Sequence, residues 1–255
     1  MSDINVSLAA VALLKARETG ETIPTLPEGS HPRNTEDAYA IQDAIMLSLG
    51  EVAGWKVGAK NPQSEPTCSP LPQTLICDSP GKISVQRAQL HGVEIEIAVR
   101  LGKDLPPVGQ PYTAEDVIAV VESVHPAIEI VCSRFTNPWQ LDEMFPLADS
   151  ISNGYLIVGP GISNTSALAG STAGINMTLD GKSALSDEKS NPGGTIGRLL
   201  AWLANHAAAR SGGLRKGQII TTGSFIGIFP IPATVAIQGD VRNVGSVEVM
   251  VTEVA

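Results

Sequence analysis

Val93-Glu94-Ile95-Glu96-Ile97-Ala98-Val99-Arg100-Leu101 is the stretch whose reading decides the fold. Apolar and acidic residues alternate over its first five positions. That is the period of a β-strand, whose successive side chains point to opposite faces. Val93, Ile95 and Ile97 then share one face, while Glu94 and Glu96 share the other, roughly 6–7 Å apart by the strand rise. Taken alone, the same pattern describes a strand with one packed and one solvated face.

Working outward, GWKVGAK (54–60), HPAIEIVCSRF (125–135), NGYLIVGPGI (153–162) and INMTLDGKS (175–183) also read as strands, the last with a hairpin turn at Asp180-Gly181. LRKGQIITTGSFIGIFPI (214–231) and the segments TVAIQGD and GSVEVMVTE between 234 and 253 read as strands around turns. Helical spacing marks 5–18, with Leu8, Val11 and Ala12 on one face, and 36–50, capped by Asn34 or Thr35 and stopped by Gly50. Two further helices are expected at 113–124, behind Thr113, and at 191–213, between Pro192 and Gly212-Gly213. Residues 61–74, rich in Pro, Ser and Thr, read as a long loop. Strands and helices do not alternate as βαβ units, and no repeat appears. The expectation is an α+β protein: an N-terminal helical region, 1–52, and a mostly β body, 53–255.

At 255 residues and 43% hydrophobic, the chain can bury a real core. A net charge of -9, with no run of Lys or Arg, argues against a nucleic-acid binder and means that an anionic substrate must be held locally. Three cysteines without CxxC spacing suggest reduced thiols in a cytoplasmic protein. Neither a signal peptide nor an apolar run of membrane-spanning length, about 20 residues, is visible.

Glu129 sits in Ala127-Ile128-Glu129-Ile130-Val131-Cys132, a run apolar enough to be buried on both faces. A buried carboxylate needs a cationic partner or a metal. If Glu94, Glu96 and Glu129 converge, their repulsion calls for a divalent cation. Mg²⁺ and Mn²⁺ favour all-oxygen ligands and leave positions open to a chelating substrate. A buried ion pair is the competing explanation, with Arg134 as one partner; Arg134 could equally grip a substrate carboxylate. Lys56, inside the apolar GWKVG strand, suits proton transfer or anion binding, or else snorkels from a strand edge. Asp78 ends an apolar run as a proton-transfer group or a turn residue. No nucleophile elbow, P-loop or HExxH is present.

These segments, in the order DAYAIQ (37–42), GWKVG, VEIEIAVRLGKDLP, HPAIEIVCSRF, LADSISNGYLIVG and AWLANHAAARSGGLRKGQIITTGSF, resemble the 2-keto-4-pentenoate hydratase and 4-oxalocrotonate decarboxylase branch of the fumarylacetoacetate hydrolase superfamily. The resemblance implies a mixed β-roll behind a small helical part, and a Mg²⁺ or Mn²⁺ site on Glu94, Glu96 and Glu129. It implies Lys56 and Asp78 as proton-transfer groups, a pocket lined by Thr222, Gly223 and Ser224, and a homo-oligomer acting on a small 2-oxo acid. The implied reaction is hydration of a 2-hydroxydienoate, with decarboxylation of the 4-oxalocrotonate type as the alternative. Hydrolysis of an acylpyruvate, using a His31–Glu36 pair, and a non-catalytic role as a partner subunit are further alternatives. The chain departs from the branch at Ala59-Lys60-Asn61, where Leu-Thr-Ser is common, and at Ser150-Ile151-Ser152-Asn153, where Asn-Ala-Ser-Ser is usual.

Overall fold

A computed structural model describes residues 4–254. Its helices and strands run α1 Val6–Thr19, α2 Thr35–Leu49, β1 Val52–Gly58, β2 Thr67–Pro72, β3 Ile76–Asp78, β4 Gly81–Val85, β5 Leu90–Leu101, α3 Ala114–Ile118, β6 Val121–Cys132, α4 Met144–Ala148, β7 Asn153–Val158, β8 Thr172–Leu179, β9 Lys182–Ser190, α5 Ile196–Ser211, β10 Ile219–Thr221, β11 Val235–Val241 and β12 Gly245–Glu253.

A seven-stranded sheet has the order β2-β1-β10-β5-β6-β7-β3, and a five-stranded one β4-β12-β11-β8-β9. Both are mixed, with parallel pairs at β1–β10, β3–β7 and β4–β12. The main core lies between the sheets. Val93, Ile95 and Ile97, together with Ile128 and Ile130, meet Ile175, Ile237, Val247 and Val249 of the smaller sheet and Leu199, Leu200 and Leu203 of α5. On its opposite face the larger sheet curls. Leu71 of β2 and Ile76 of β3, at opposite edges, belong to one apolar cluster with Ala98, Ala127, Leu156, Val158 and Ile219. This cluster fills the inside of a roll, and the face carrying Glu94 and Glu96 turns inward with it. The fold is the expected α+β roll.

Helices α1 and α2 pack in a separate core with Leu26, Phe135 and the α4 residues Phe145, Leu147 and Ala148. Asn34 caps α2, its side chain accepting from the Asp37 amide at 2.8 Å. Asn34→Ala is expected to cost about 1 kcal/mol, read as a lower denaturation midpoint with unchanged slope. Helix α1 buries Ala9, Ala10, Leu13 and Ala16, not the expected face: Val11 is 62% exposed. Small alanines beside Leu13 let α1 approach its neighbours closely, and Leu8 and Val11 are left outside.

Three other expectations are corrected. The loop at 61–74 contains β2, an edge strand paired with β1. Pro70 and Pro72 suggested loop, but at an edge a strand tolerates residues that cannot donate to a ladder. The helix at 113–124 is only one turn, capped by Thr113; from Val121 the chain is already β6, Leu101 pairing with Val121. Of 214–231, only Ile219–Thr221 is strand, because Gly217, Gly223 and Gly227 take positive φ on either side. The hairpin at Asp180-Gly181 is as expected, both residues with positive φ.

Candidate functional site

Register builds the site. Glu94 of β5 lies directly across from Glu129 of β6, and Glu96 follows two residues along the same face. One carboxylate oxygen from each of the three lies within 4.8 Å of the other two. Glu129 is 0% and Glu96 2% exposed, which excludes the reading of a solvated glutamate face. Glu96 is oriented by the backbone N–H of Gly223, which donates to its Oε2 at 2.8 Å. Gly223 has φ +90°, in the left-handed region that favours glycine. Asn191 fixes this turn by donating to the Thr222 carbonyl at 2.7 Å. Glu129 Oε2 is buried without a hydrogen-bond partner among the described residues. Three converging oxygens and an unpaired buried one fit a hard divalent cation.

The cationic partner of Glu129 is Lys56, not Arg134. Lys56 Nζ pairs with Glu129 Oε1 and donates to the Ile151 carbonyl at 3.1 Å. The Asn153 amide also donates to Glu129 Oε1, at 3.2 Å. Ile151 is presented by an unusual turn: Ser150, Ile151 and Ser152 have φ 54°, 53° and 56°. A left-handed conformation is a genuine outlier for a β-branched residue and is sustained only by its surroundings. Arg134 supplies them. Its guanidinium pairs with the Asp149 carboxylate and donates to the carbonyls of Asp149 (2.6 Å) and Asn153 (2.9 Å), so it grips both ends of the turn. With Nε and both Nη atoms engaged and 1% exposure, Arg134 is a clamp and does not reach out to a substrate.

The other sequence candidates divide. Ser224, beside Glu94, and Gly223 belong to the site. Thr222 turns away, its hydroxyl donating to the Ile97 carbonyl at 2.7 Å. Asp78 is exposed at the end of β3, in a polar recess of about 190 Å³ with Gln73, Arg100 and Gly217, apart from the glutamates. His31 binds the Leu26 carbonyl at 2.8 Å and packs on Phe145, and among the described residues no hydrogen bond or ion pair joins it to Glu36. Sequence reasoning missed Asn153 and Asn191, whose side chains are the only sign of their role.

Burial, reinforced by the charge of Glu129, pushes the Glu94 carboxyl up to about 7 and that of Glu96 well above the carboxylate range. Burial opposes the charge on Lys56, but the three glutamates outweigh it and raise its pKa. A carboxyl whose pKa is raised by folding binds a proton that the unfolded chain has already released. Metal-free stability therefore falls as pH rises from the ordinary carboxylate range through about 7. A cation needs the deprotonated ligands and reverses this loss. Saturating Mg²⁺ or Mn²⁺ is thus expected to raise Tm much more at pH 8 than at pH 5.5; an increment independent of pH would contradict this picture.

The model of the fumarylacetoacetate hydrolase C-terminal family matches residues 43–253. The chain is 30% identical to the 2-hydroxyhexa-2,4-dienoate hydratase of Comamonas testosteroni, over 94% of this chain and 95% of that one. It is 28% identical to a 2-keto-4-pentenoate hydratase of Paraburkholderia xenovorans, over 94% and 92%. Its fold is similar to that of the 4-oxalocrotonate decarboxylase from Pseudomonas putida G7, solved with magnesium and adipate, with a TM-score of 0.80 at 21% identity over 98% and 97% of the two chains.

Proposed function

The chain belongs to the fumarylacetoacetate hydrolase C-terminal family, and from that premise we propose that it is a metal-dependent lyase hydrating a small 2-hydroxydienoate, or its 2-oxo-alkenoate tautomer, in the breakdown of aromatic compounds. The observation that carries this reading is the convergence of Glu94, Glu96 and Glu129 beside the buried ammonium of Lys56.

The glutamates would hold Mg²⁺ or Mn²⁺, which supplies a Lewis acid against charge developing on the 2-oxo oxygen. The chain's own groups do the rest. Gly223 N–H and the Asn153 amide hold two of the carboxylates in place. Lys56, fixed on Glu129 and the Ile151 carbonyl, delivers and collects the proton at the reacting carbons. Asp78 has no part in this scheme, since it faces a different recess. Decarboxylation is the second reading, because it draws on the same electron sink as CO₂ leaves. We also infer a homo-oligomer, in keeping with the exposed apolar side chains Val11 of α1 and Leu47 of α2.

The test is turnover of 2-hydroxypenta-2,4-dienoate, 4-oxalocrotonate and acetylpyruvate with Mg²⁺ or Mn²⁺. Water addition to the dienoate is the expected result. CO₂ release from oxalocrotonate alone selects the second reading. Cleavage of acetylpyruvate, or Mg²⁺ binding without turnover of any of the three, overturns both.

A further inference from the structure

Around Lys56 lie two buried hydroxyls that no described residue satisfies. Thr221 is 0% and Ser152 2% exposed, and neither Oγ has a hydrogen-bond partner among the described residues. Thr221 pairs in register with Lys56 of β1 on one side and Ala98 of β5 on the other. Paired residues present their side chains to the same face. Ala98 continues the inward series Glu94, Glu96, so the Thr221 hydroxyl faces the interior of the roll next to the lysine stem. Ser152 approaches from the other side. It lies in the left-handed turn between Ile151, whose carbonyl accepts from Lys56, and Asn153, whose amide donates to Glu129. The neighbouring Thr222 shows how a hydroxyl here is satisfied when its role is structural: it donates to the Ile97 carbonyl at 2.7 Å.

Buried hydroxyls are normally paired, with protein or with ordered water. Of these two, one lies beside the stem of Lys56 and the other next to the carbonyl that accepts from its ammonium, so both leave hydrogen-bonding capacity unused around this one side chain. We propose that Thr221 and Ser152, together with Lys56, seat the water molecule that adds to the substrate.

This assignment rests on the hydratase reading and gives it the group that the three glutamates do not provide. In the addition, the water oxygen bonds to C4 of the 2-oxo-3-alkenoate and the C3–C4 π pair moves into the enolate at C2. In the preceding ketonisation the 2-hydroxyl proton leaves to solvent before Lys56 gives its own proton to C5; Lys56, left neutral, takes the proton of the water, passes it to C3 and regains a proton from solvent as the product leaves. Thr221 and Ser152 are positioning residues in this step: they aim the water at C4 and touch neither the enolate nor the cation. Decarboxylation consumes no water, so a water seat distinguishes the hydratase reading from the decarboxylase one.

Thr221→Val keeps the shape and removes the hydroxyl, and Ser152→Ala does the same on the other side. Two measurements test the pair. Ketonisation of the dienoate, followed by proton exchange at C5, and formation of the 4-hydroxy-2-oxo acid are timed separately. High-resolution crystal structures of wild type and Thr221→Val show whether a water lies within hydrogen-bonding distance of both hydroxyls. The expected result is a water in the wild type that is lost in Thr221→Val, with hydration slowed about tenfold more than ketonisation and the 2-oxo-3-alkenoate accumulating. A general packing defect would slow both steps alike and overturns the assignment, as does a wild type in which the two hydroxyls share no water. A wild type that hydrates while both variants keep pace ends the water seat alone. A wild type that leaves the dienoate untouched ends the hydratase reading, and the seat with it.

Discussion

In Glu96→Gln protein, metal binding and turnover are expected to disappear together, with kcat/KM lower by about three orders of magnitude or more, while the metal-free protein becomes more stable than wild type. Three decades correspond to about 4 kcal/mol, within the several kcal/mol that a cation contributes to stabilising developing charge. The gain in stability comes from the same residue. Glu96 is buried between two other carboxylates, and burial first, then Glu129 and Glu94, force its pKa well up. Ionising it is therefore a cost to the empty site. The amide of glutamine keeps the shape and can still accept from the Gly223 N–H, but it never has to carry a charge beside Glu94 and Glu129. Calorimetric titration with Mn²⁺, a Tm without metal at pH 8, and the dienoate assay read the three effects. Wild-type kcat/KM in Glu96→Gln would end the assignment of the glutamate triad. Lost turnover with lower metal-free stability would mean that Glu96 serves the fold instead.

How much of this was legible in the sequence depends on what fixes each residue. The alternation of 93–97 gave both the strand and its two faces, because side-chain period alone sets them. Alternation could not say which face meets water: Glu94 and Glu96 are inward because the sheet curls until Leu71 and Ile76, at its far edges, share a core. The helix caps at Asn34 and Thr113 were readable, since a cap is a local hydrogen bond. The length of α3 was not, because the valines after it are claimed by pairing with β5. At the site, the resemblance supplied the glutamates and Lys56, but the residues alone left the partner of Glu129 open. Arg134 was the neighbour along the strand, whereas Lys56 arrives from another strand. The left-handed turn at 150–152 contains no glycine to announce it. It exists because Arg134 and Asp149, brought together by β6 and the turn itself, hold its ends.

Replacing Lys56 is expected to separate what a charge does for the fold from what a proton does for the reaction. Lys56→Met removes the ion-pair partner that a fully buried carboxylate, already facing two others, has among the described residues. Breaking a buried pair from one side costs about 3–5 kcal/mol, so metal-free Lys56→Met should melt well below wild type. Mg²⁺ or Mn²⁺ should restore most of that loss, because the cation neutralises the same charges. Turnover should not return with it. Loss of a positioned proton-transfer group lowers kcat by about 10²–10⁴-fold, with a much smaller change in KM. Lys56→Arg then decides between the two roles. A guanidinium keeps a positive charge against Glu129 but does not give up its proton at ordinary pH. A Lys56→Arg protein with wild-type metal-free Tm and kcat as low as in Lys56→Met identifies the lysine by its proton. Full turnover in Lys56→Arg would show that charge beside Glu129 suffices, and full turnover in Lys56→Met would remove Lys56 from the reaction altogether.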